Sequence, residues 1–496
     1  MSDVITFNSV PSNAEASKVF VEEENVSRGP VTEVIPRKIL VLGQYDSSKS
    51  PTVNQPQLVL NKSDAWSRYG RGSMLAFLLE AVFRSSGTVP VYALPLDDDG
   101  SATSAEGELD FSGSSPSEDG TIAIGIAGRR ITASVSSGDT ADDVGQAVAD
   151  AINANADLPV TAANSSGVVT VTVDWGGKSG DQLTMVQNPR ATDELPAGVS
   201  LSLTDIGSST GGTNNPDLST ALGNLGDTWY TDVVNPYLDS SSIDAIISEG
   251  DNRNDPIENR MFDAFTGYTD TNSNFQTELG NHNSQWITFV PVHGSNTPAM
   301  EIAAVTAGLF AAKQQSNPGR PVKNLVLEGV QPGGNPNDLL YSTRNTTVSN
   351  GGSWTYDTAG GRVAIGDLVT TRTEDTNGAA TDAWRFTIII PNLQVKRYQV
   401  EQTYLQDPFA RGVVLANGGP PGPTYGVTPN MVKSQAVQLV ENWGELGIST
   451  EIETIVENIQ ANIDGSNPGR INLLIPDTPS AGLRILAAKL EWAFVV

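Results

Sequence analysis

The chain has 496 residues and a formal net charge of −28, from 57 acidic against 29 basic side chains, although only 17% of it is charged. That balance excludes nucleic-acid binding, which needs clustered Lys and Arg to neutralise phosphates, and it excludes an anionic membrane surface as a partner. Cysteine is absent, so disulfide scaffolds, thiolate metal sites and Cys nucleophiles are excluded as well.

The N-terminal stretch has no basic region followed by an apolar one, so no signal peptide is expected. No apolar run reaches the ~18 residues of a membrane span, so membrane insertion is not expected either. Within the first 30 residues the apolar triplet Val19, Phe20, Val21 sits in KVFVEE, isolated by polar flanks. KILVLG (38–43) reads as a buried strand. Ser63 is the expected cap of a helix beginning DAWSRYG, a second helix is expected at 73–85, and TVPVYAL (88–94) is the next strand.

Composition then shifts. Residues 1–95 carry nine acidic and nine basic side chains, while 96–218 carry nineteen acidic and only four basic ones, Arg129, Arg130, Lys178 and Arg190. Of the 32 aromatic residues only Phe111 and Trp175 fall in that segment. It reads as a separate acidic domain bounded by Gly/Ser/Asp-rich linkers at 97–120 and 207–217. Inside it TIAIGI (121–126) and RITASV (130–135) alternate as strands about a turn at Gly128. Thr140 caps a helix with Val144, Val148 and Ile152 on its apolar face. VTAAN (160–164) and VVTVTVD (168–174) flank a hairpin turn at Ser165-Ser166-Gly167.

Beyond it strands and helices alternate again: TDVVNP (231–236), helices near 241–249 and 256–266, QWITFVPV (285–292), a helix opened by Thr297-Pro298 and running to Gln315, and KNLVLEGV (323–330). The alternation predicts an open α/β core into which the acidic β-rich α+β domain is inserted. From 362 the pattern becomes α+β. RVAIGDLVTTRT (362–373) is a strand, 382–407 a helix interrupted by Pro391, 429–443 a helix, and Ser449 or Thr450 caps another to about 463. INLLIP (471–476) follows as a strand. The run LRILAAKLEWAFVV (483–496) carries Leu483, Ile485, Leu486, Leu490, Trp492 and Phe494. The turn Asn317-Pro318-Gly319-Arg320 recurs as Asn467-Pro468-Gly469-Arg470. Pro second and Gly third favour a type II turn, and a reused turn explains the pair better than an internal repeat.

Candidate chemistry is weak throughout. Gly177-Lys178-Ser179 imitates the end of a phosphate-binding loop, but the required upstream Gly is replaced by Thr172 inside a strand. Asp97-Asp98-Asp99 is contiguous, not alternate as a calcium loop requires. His293 ends a strand, where enzymes place catalytic groups, but no nucleophile motif partners it, and His282 lies in a polar helix end and is expected to be exposed. No catalytic, cofactor-binding or metal residue is assigned, and an enzyme is not expected. The apolar ends are more informative: each pairs either within its own chain or by strand addition to a neighbouring subunit.

An ordered set of segments resembles one family. ITFNSVPSNAEASKVFVEEENVSRGP (5–30), KILVLGQYDSS (38–48), SNPGRPVKNLVLEGVQP (316–332), GGRVAIGDLVTTRTEDTNGAATDAW (360–384), VTPNMVKSQAVQLVENWGELG (427–447) and NPGRINLLIPD (467–477) together resemble the tail sheath proteins of contractile phage tails, in particular the Mu-like sheath family. No one of them is diagnostic, 96–218 matches only loosely as that family's variable outer insertion, and Pro391 departs from a helix that is usually continuous. The resemblance implies an N-terminal arm (1–30), a sheath core (31–95 with 219–345), the outer insertion (96–218), a tube-proximal polymerising α+β domain (346–482) and a C-terminal arm (483–496). It further implies hexameric rings stacked helically around a tail tube, arms exchanged between subunits, and contraction that drives the tube through the host envelope. Implied partners are the chain itself, tube, baseplate and terminator proteins, with assembly in the host cytoplasm, residence in the virion and no cofactor. A bacteriocin or secretion-type sheath shares this mechanism; a secreted acidic adhesin is the more distant alternative.

Overall fold

The computed structural model describes residues 35–334, 339–419 and 422–492. It is a mixed α/β protein that divides into a larger unit, Val34–Tyr398 with Pro479–Val496, and a smaller one, which takes in Gln399–Thr478.

The larger unit opens with β1 (Ile39–Gln44), β2 (Gln57–Val59), α1 (Lys62–Tyr69), α2 (Met74–Phe83) and β3 (Val91–Leu96). Asn61, not Ser63, caps α1: its side chain accepts from the Asp64 amide, and Ser63 already lies inside the helix. The acidic segment contributes β4 (Ser104–Asp110), β5 (Gly120–Ile126), β6 (Arg129–Val135), α3 (Ala141–Asn153), β7 (Val160–Ser165), β8 (Val168–Gly176), β9 (Met185–Gln187) and β10 (Ser202–Thr204). These strands form two sheets of their own, ordered β10-β4-β8-β7 and β6-β5-β9. The strand β4 lies in a stretch expected to be a linker. Its inward side chains are only Ala105, Gly107 and Leu109, too small a signal to read. The two hairpin turns fall where expected, with Ala127-Gly128 and Ser166-Gly167 at positive φ, as two-residue turns between twisted strands require. Thr140 and Asp143 form a reciprocal capping box at the start of α3.

The chain then returns through α4 (Ser219–Gly223), β11 (Asp232–Val234), α5 (Ser240–Asn254), β12 (Asp263–Tyr268), α6 (Asn272–Leu279), β13 (Ile287–Pro291) and α7 (Ala299–Ser316). The main sheet has the order β13-β12-β11-β1-β3-β2, all parallel except the edge strand β2. Its five parallel strands thus follow the order 2-1-3-4-5 of an open, doubly wound sheet. No strand of the acidic segment enters this sheet. The expected helix at 256–266 is instead a turn and irregular chain to residue 262 followed by the start of β12: Asp263–Gly267 are buried on both faces, which leaves no alternation to read. The helix α7 is buried almost all round and presses on β12 so closely that a Cβ at Gly267 would lie 1.7 Å from the Ala299 carbonyl oxygen.

After α8 (Tyr341–Ser349), β14 (Trp354–Asp357) pairs with β15 (Val363–Asp367). The expected strand 323–330 is irregular chain lying along β15, with Asn324 and Gly329 at positive φ and hydrogen bonds from the Asn324 and Leu327 amides to the Ile365 and Val363 carbonyls. Residues 382–388 are not helical. The helix α9 (Ile389–Tyr404) starts late enough that Pro391 falls in its first turn, where no amide partner is needed.

The smaller unit adds β16 (Val413–Val414), β17 (Gly426–Val427), α10 (Pro429–Glu445, capped by Thr428), α11 (Ile452–Asn458), β18 (Gln460–Ile463) and β19 (Ile471–Leu474). The expected helix to 463 ends at Asn458, and its last residues become β18. Val432, Ala436, Val440, Trp443, Ile448, Ile455 and Ile459 form the buried interior of this unit.

Candidate functional site

In an open parallel sheet the usual ligand site is the crevice at the carboxyl ends of the strands, where the strand order reverses. Here that point lies between β1 and β11, and it is filled. Gln44, at the end of β1, donates to the Asp98 carboxylate at 2.6 Å and to the Gly176 carbonyl, and accepts from the Tyr237 hydroxyl at 3.3 Å. Gln182 donates to the Pro236 carbonyl at 2.7 Å and accepts from the Met300 amide at 3.0 Å. Asp98, Gly176 and Gln182 all belong to the inserted segment, so the insertion stoppers the crevice. Tyr237 is fully buried there, and burial pushes its phenol well above the ordinary value.

The remaining chemical candidates are structural. His293 Nδ1 meets the Asp270 carbonyl at 2.6 Å, its ring packs edge-on to Phe275, and its Nε2 is buried with no hydrogen-bond partner. Burial lowers its pKa below the ordinary imidazole value. His282 is buried, not exposed: it lies just past α6, stacks on Phe289 and meets Glu278 at 2.9 Å. Lys178 and Ser179 lie in the 3-10 turn Lys178–Gln182 at the end of β8. Among the described residues no three His, Asp or Glu side chains converge as metal ligands.

The chain ends are different. Val19, Phe20, Val21 and Phe494 lie outside the described residues. Residues 483–492 form no strand, and their large apolar side chains face solvent: Leu483 is 69% exposed, Ile485 73%, Leu486 82%, Leu490 88% and Trp492 74%. The root of this segment is held. Arg484 makes a two-pronged ion pair with Asp367 at 2.9 and 3.0 Å and lies 3.6 Å from the Phe386 ring centroid, while Lys323 Nζ donates to the Leu483 carbonyl at 2.7 Å. Beside this root a cavity of ≈ 430 Å³ opens between 382–389 and 479–485.

In the smaller unit, among the described residues, β18 and β19 pair only with each other, so neither outer edge of the hairpin meets another described strand, and Leu474 is 54% exposed. Two-stranded sheets are marginal alone; this one is backed by α10. Its loop is organised by Asp464, whose carboxylate accepts from the Ser466 hydroxyl, the Ser466 and Asn467 amides and the Asn472 side chain at 2.7–3.1 Å. Those bonds hold its pKa far below the ordinary carboxylate range. Asn467-Pro468-Gly469-Arg470 forms part of this loop and leads into β19, while Asn317-Pro318-Gly319-Arg320 closes α7. Both turns carry the Asn carbonyl to Arg amide bond, at 3.0 and 3.2 Å, but only Gly319 has the positive φ of a type II turn.

No family model matches the chain. Among solved structures it is similar to the sheath tail protein from Desulfitobacterium hafniense, at TM-score 0.50 and 10% identity, covering 94% of this chain and 97% of that one. The sheath tail protein from Listeria innocua follows at TM-score 0.49 and 12% identity, covering 91% and 93%. The likeness to the Desulfitobacterium hafniense structure shows a similar fold. In sequence the chain is 26% identical over 491 residues to the Mu-like prophage FluMu tail sheath protein of Haemophilus influenzae, covering 98% of this chain and 99% of that protein. The resemblance to the Mu-like tail sheath proteins read from the sequence thus holds over nearly the whole chain.

Proposed function

We propose that this chain is the subunit of a contractile tail sheath, polymerising as stacked hexameric rings around a tail tube and shortening to drive the tube through an envelope. The observation that carries this reading is the similarity, end to end, to a tail sheath protein. Two features support it physically. Among the described residues, the exposed apolar segment 483–492 is a strand's worth of side chains outside any sheet, and the hairpin β18-β19 has no other strand on either edge. Added to the hairpin of a neighbour, the segment satisfies both needs, and head-to-tail addition propagates a polymer instead of closing a dimer.

In this reading Val19–Val21 form a second arm, 346–482 holds the polymerising, tube-proximal region, and 96–218 points outward. Baseplate and terminator proteins bound the polymer, and the particle tail is its location. The sheath works by two alternative packings of rigid units, which needs no catalytic group. Negative-stain microscopy of the purified, concentrated chain tests the proposal. Rings or striated tubes are expected; a protein that stays monomeric at every concentration would overturn it.

A further inference from the structure

The acidic segment 96–218 has four basic residues, and three of them, Arg129, Arg130 and Arg190, line a single cavity of ≈ 410 Å³. Gly125 lines it from the inserted sheet, and Asn296 and Gln331 close it from the core side. The guanidinium groups are not consumed by their neighbours. Arg129 Nη1 donates to the Ala127 carbonyl at 3.0 Å and lies 3.3 Å from Glu301, which is shared with Arg84, so among the described residues its Nε and Nη2 are unspent. Arg130 binds Asp193 through Nε and Nη2 at 2.9 and 2.7 Å, which leaves Nη1 unspent. Arg190 is exposed and gives only its backbone amide, at 3.1 Å, to Asp193. Among the described residues its guanidinium makes no ion pair, and Glu194, the next carboxylate, pairs with none of the three. The three arginines of the segment thus meet one carboxylate of the segment, Asp193, and one of the core, Glu301, which Arg84 shares, a local positive excess in a segment of net charge −15. Arg129 is further fixed by lying 4.2 Å from the Phe77 ring centroid.

We propose that the cavity bounded by Arg129, Arg130 and Arg190 is a carboxylate-binding notch that receives an acidic segment of a second copy of this chain. The proposal rests on the sheath reading only in requiring that copies meet. Three observations favour that occupant. The lining is polar and guanidinium-rich, which suits a planar carboxylate that can take a two-pronged contact. The chain carries 57 acidic side chains, so any neighbouring copy brings carboxylates in excess. Exposed acidic pairs on the same segment, Glu118-Asp119 and Asp142-Asp143, show the kind of carboxylate a neighbour presents, although each accepts a hydrogen bond within its own chain. Two segments of net −15 repel one another, and a basic notch is the one place where they can approach at a gain.

The test is fluorescence anisotropy of labelled hexaglutamate on the full chain at low ionic strength, with inorganic phosphate as competitor. Saturable binding is expected, weakening by about tenfold in Arg190→Glu and by less in Arg190→Lys, which keeps the charge but loses the two-pronged geometry. Arg190 has no ion pair to lose, so thermal unfolding of both variants should match the wild type. Lys178→Glu, the same charge change away from the cavity, should leave affinity intact, and added hexaglutamate should weaken self-association in sedimentation velocity. Absence of saturable binding would overturn the notch, as would equal loss in Lys178→Glu, which marks unspecific attraction. Phosphate competing as strongly as the peptide would also overturn it, by making this a small-anion site. Tubes formed by a protein that does not bind hexaglutamate would overturn the notch and leave the sheath reading standing.

Discussion

Arg37 is completely buried, and its guanidinium is divided between the Asp232 carboxylate, at 2.7 and 3.0 Å, and Gln394 Oε1 at 3.0 Å. Gln394 in turn donates to the Thr231 and Met261 carbonyls, which ties α9 to the main sheet. Beside this pair Asp263, the register partner of Asp232 on β12, is buried with neither carboxylate oxygen hydrogen-bonded. One arginine cannot serve two ionised carboxylates here. Burial, reinforced by the Asp232 charge, raises the Asp263 pKa well above its ordinary value, and the folded chain keeps a proton that the unfolded chain releases above about pH 4. The stability from this group is therefore complete below about pH 4 and lost as pH rises toward the folded pKa. Asp263→Asn keeps the shape and the neutrality. It is expected to stabilise the protein at pH 8 by more than about 1 kcal/mol and not at pH 4, read by urea unfolding at the two pH values. Destabilisation at pH 8 would mean that Asp263 is ionised in the fold. His293 acts in the other direction: its lowered pKa leaves it neutral in the fold, so its contribution is lost as pH falls below about 6.5. Neither behaviour was legible in the sequence, where Asp263 fell within an expected helix and His293 read as a lone strand-end histidine. Burial decides both, and burial is set by residues apart in the sequence: Arg37 and Asp232 for Asp263, Asp270 and Phe275 for His293.

At the scale of elements, local chemistry was readable wherever it was self-contained. The hairpin turns at Gly128 and Gly167, the capped helix α3 and the strand β1 all follow from neighbouring residues. Errors came where tertiary packing outweighed pattern. The strand β12 is covered on both faces and shows no period, β4 has almost no apolar signal, and 323–330 has a strand's composition but is bent by Asn324 and Gly329. Of the proposed interaction surfaces, the exposed C-terminal segment was visible as an apolar run, whereas the arginine notch was not, because Arg190 and Gln331 reach Arg129 only through the fold. The open hairpin was half visible, since β19 was read correctly and β18 was taken for a helix end. Truncation after Arg484 keeps the clamp to Asp367 and removes Ile485, Leu486, Leu490 and Trp492. The expected product is a soluble, folded monomer with unchanged thermal unfolding and no tubes in negative stain. Normal tubes from that truncation would refute the arm.

For the whole molecule the informative quantity is where the charge lies. Of the −28, −15 sits in 96–218, whose strands form their own two sheets and leave the main sheet uninterrupted in pairing. Joining residue 96 to 219 by a short linker is expected to retain the parallel sheet and tube formation while raising the pI. Circular dichroism and negative stain check this, and an unfolded product would show that the insertion is part of the core. The deletion opens the crevice that Asp98, Gly176 and Gln182 fill, exposes Gln44 and Tyr237, and removes the insertion's other contacts with the core, such as Arg71–Asp157 and Arg129–Glu301. A partial loss of thermal stability is therefore expected without loss of fold, on the order of a few kcal/mol for the uncovered polar groups.

The clamp at Arg484 also sets a limit on geometry. Trp492 is eight residues farther along the chain, and a fully extended chain advances at most about 3.6 Å per residue, so this side chain can dock no more than about 30 Å from Arg484. In the polymer proposed above, the receiving surface would have to stay inside that reach of the clamp or the clamp would have to let go. The ion pair with Asp367 would then be a tether of bounded length, restricting which arrangements such a polymer could pass between without coming apart.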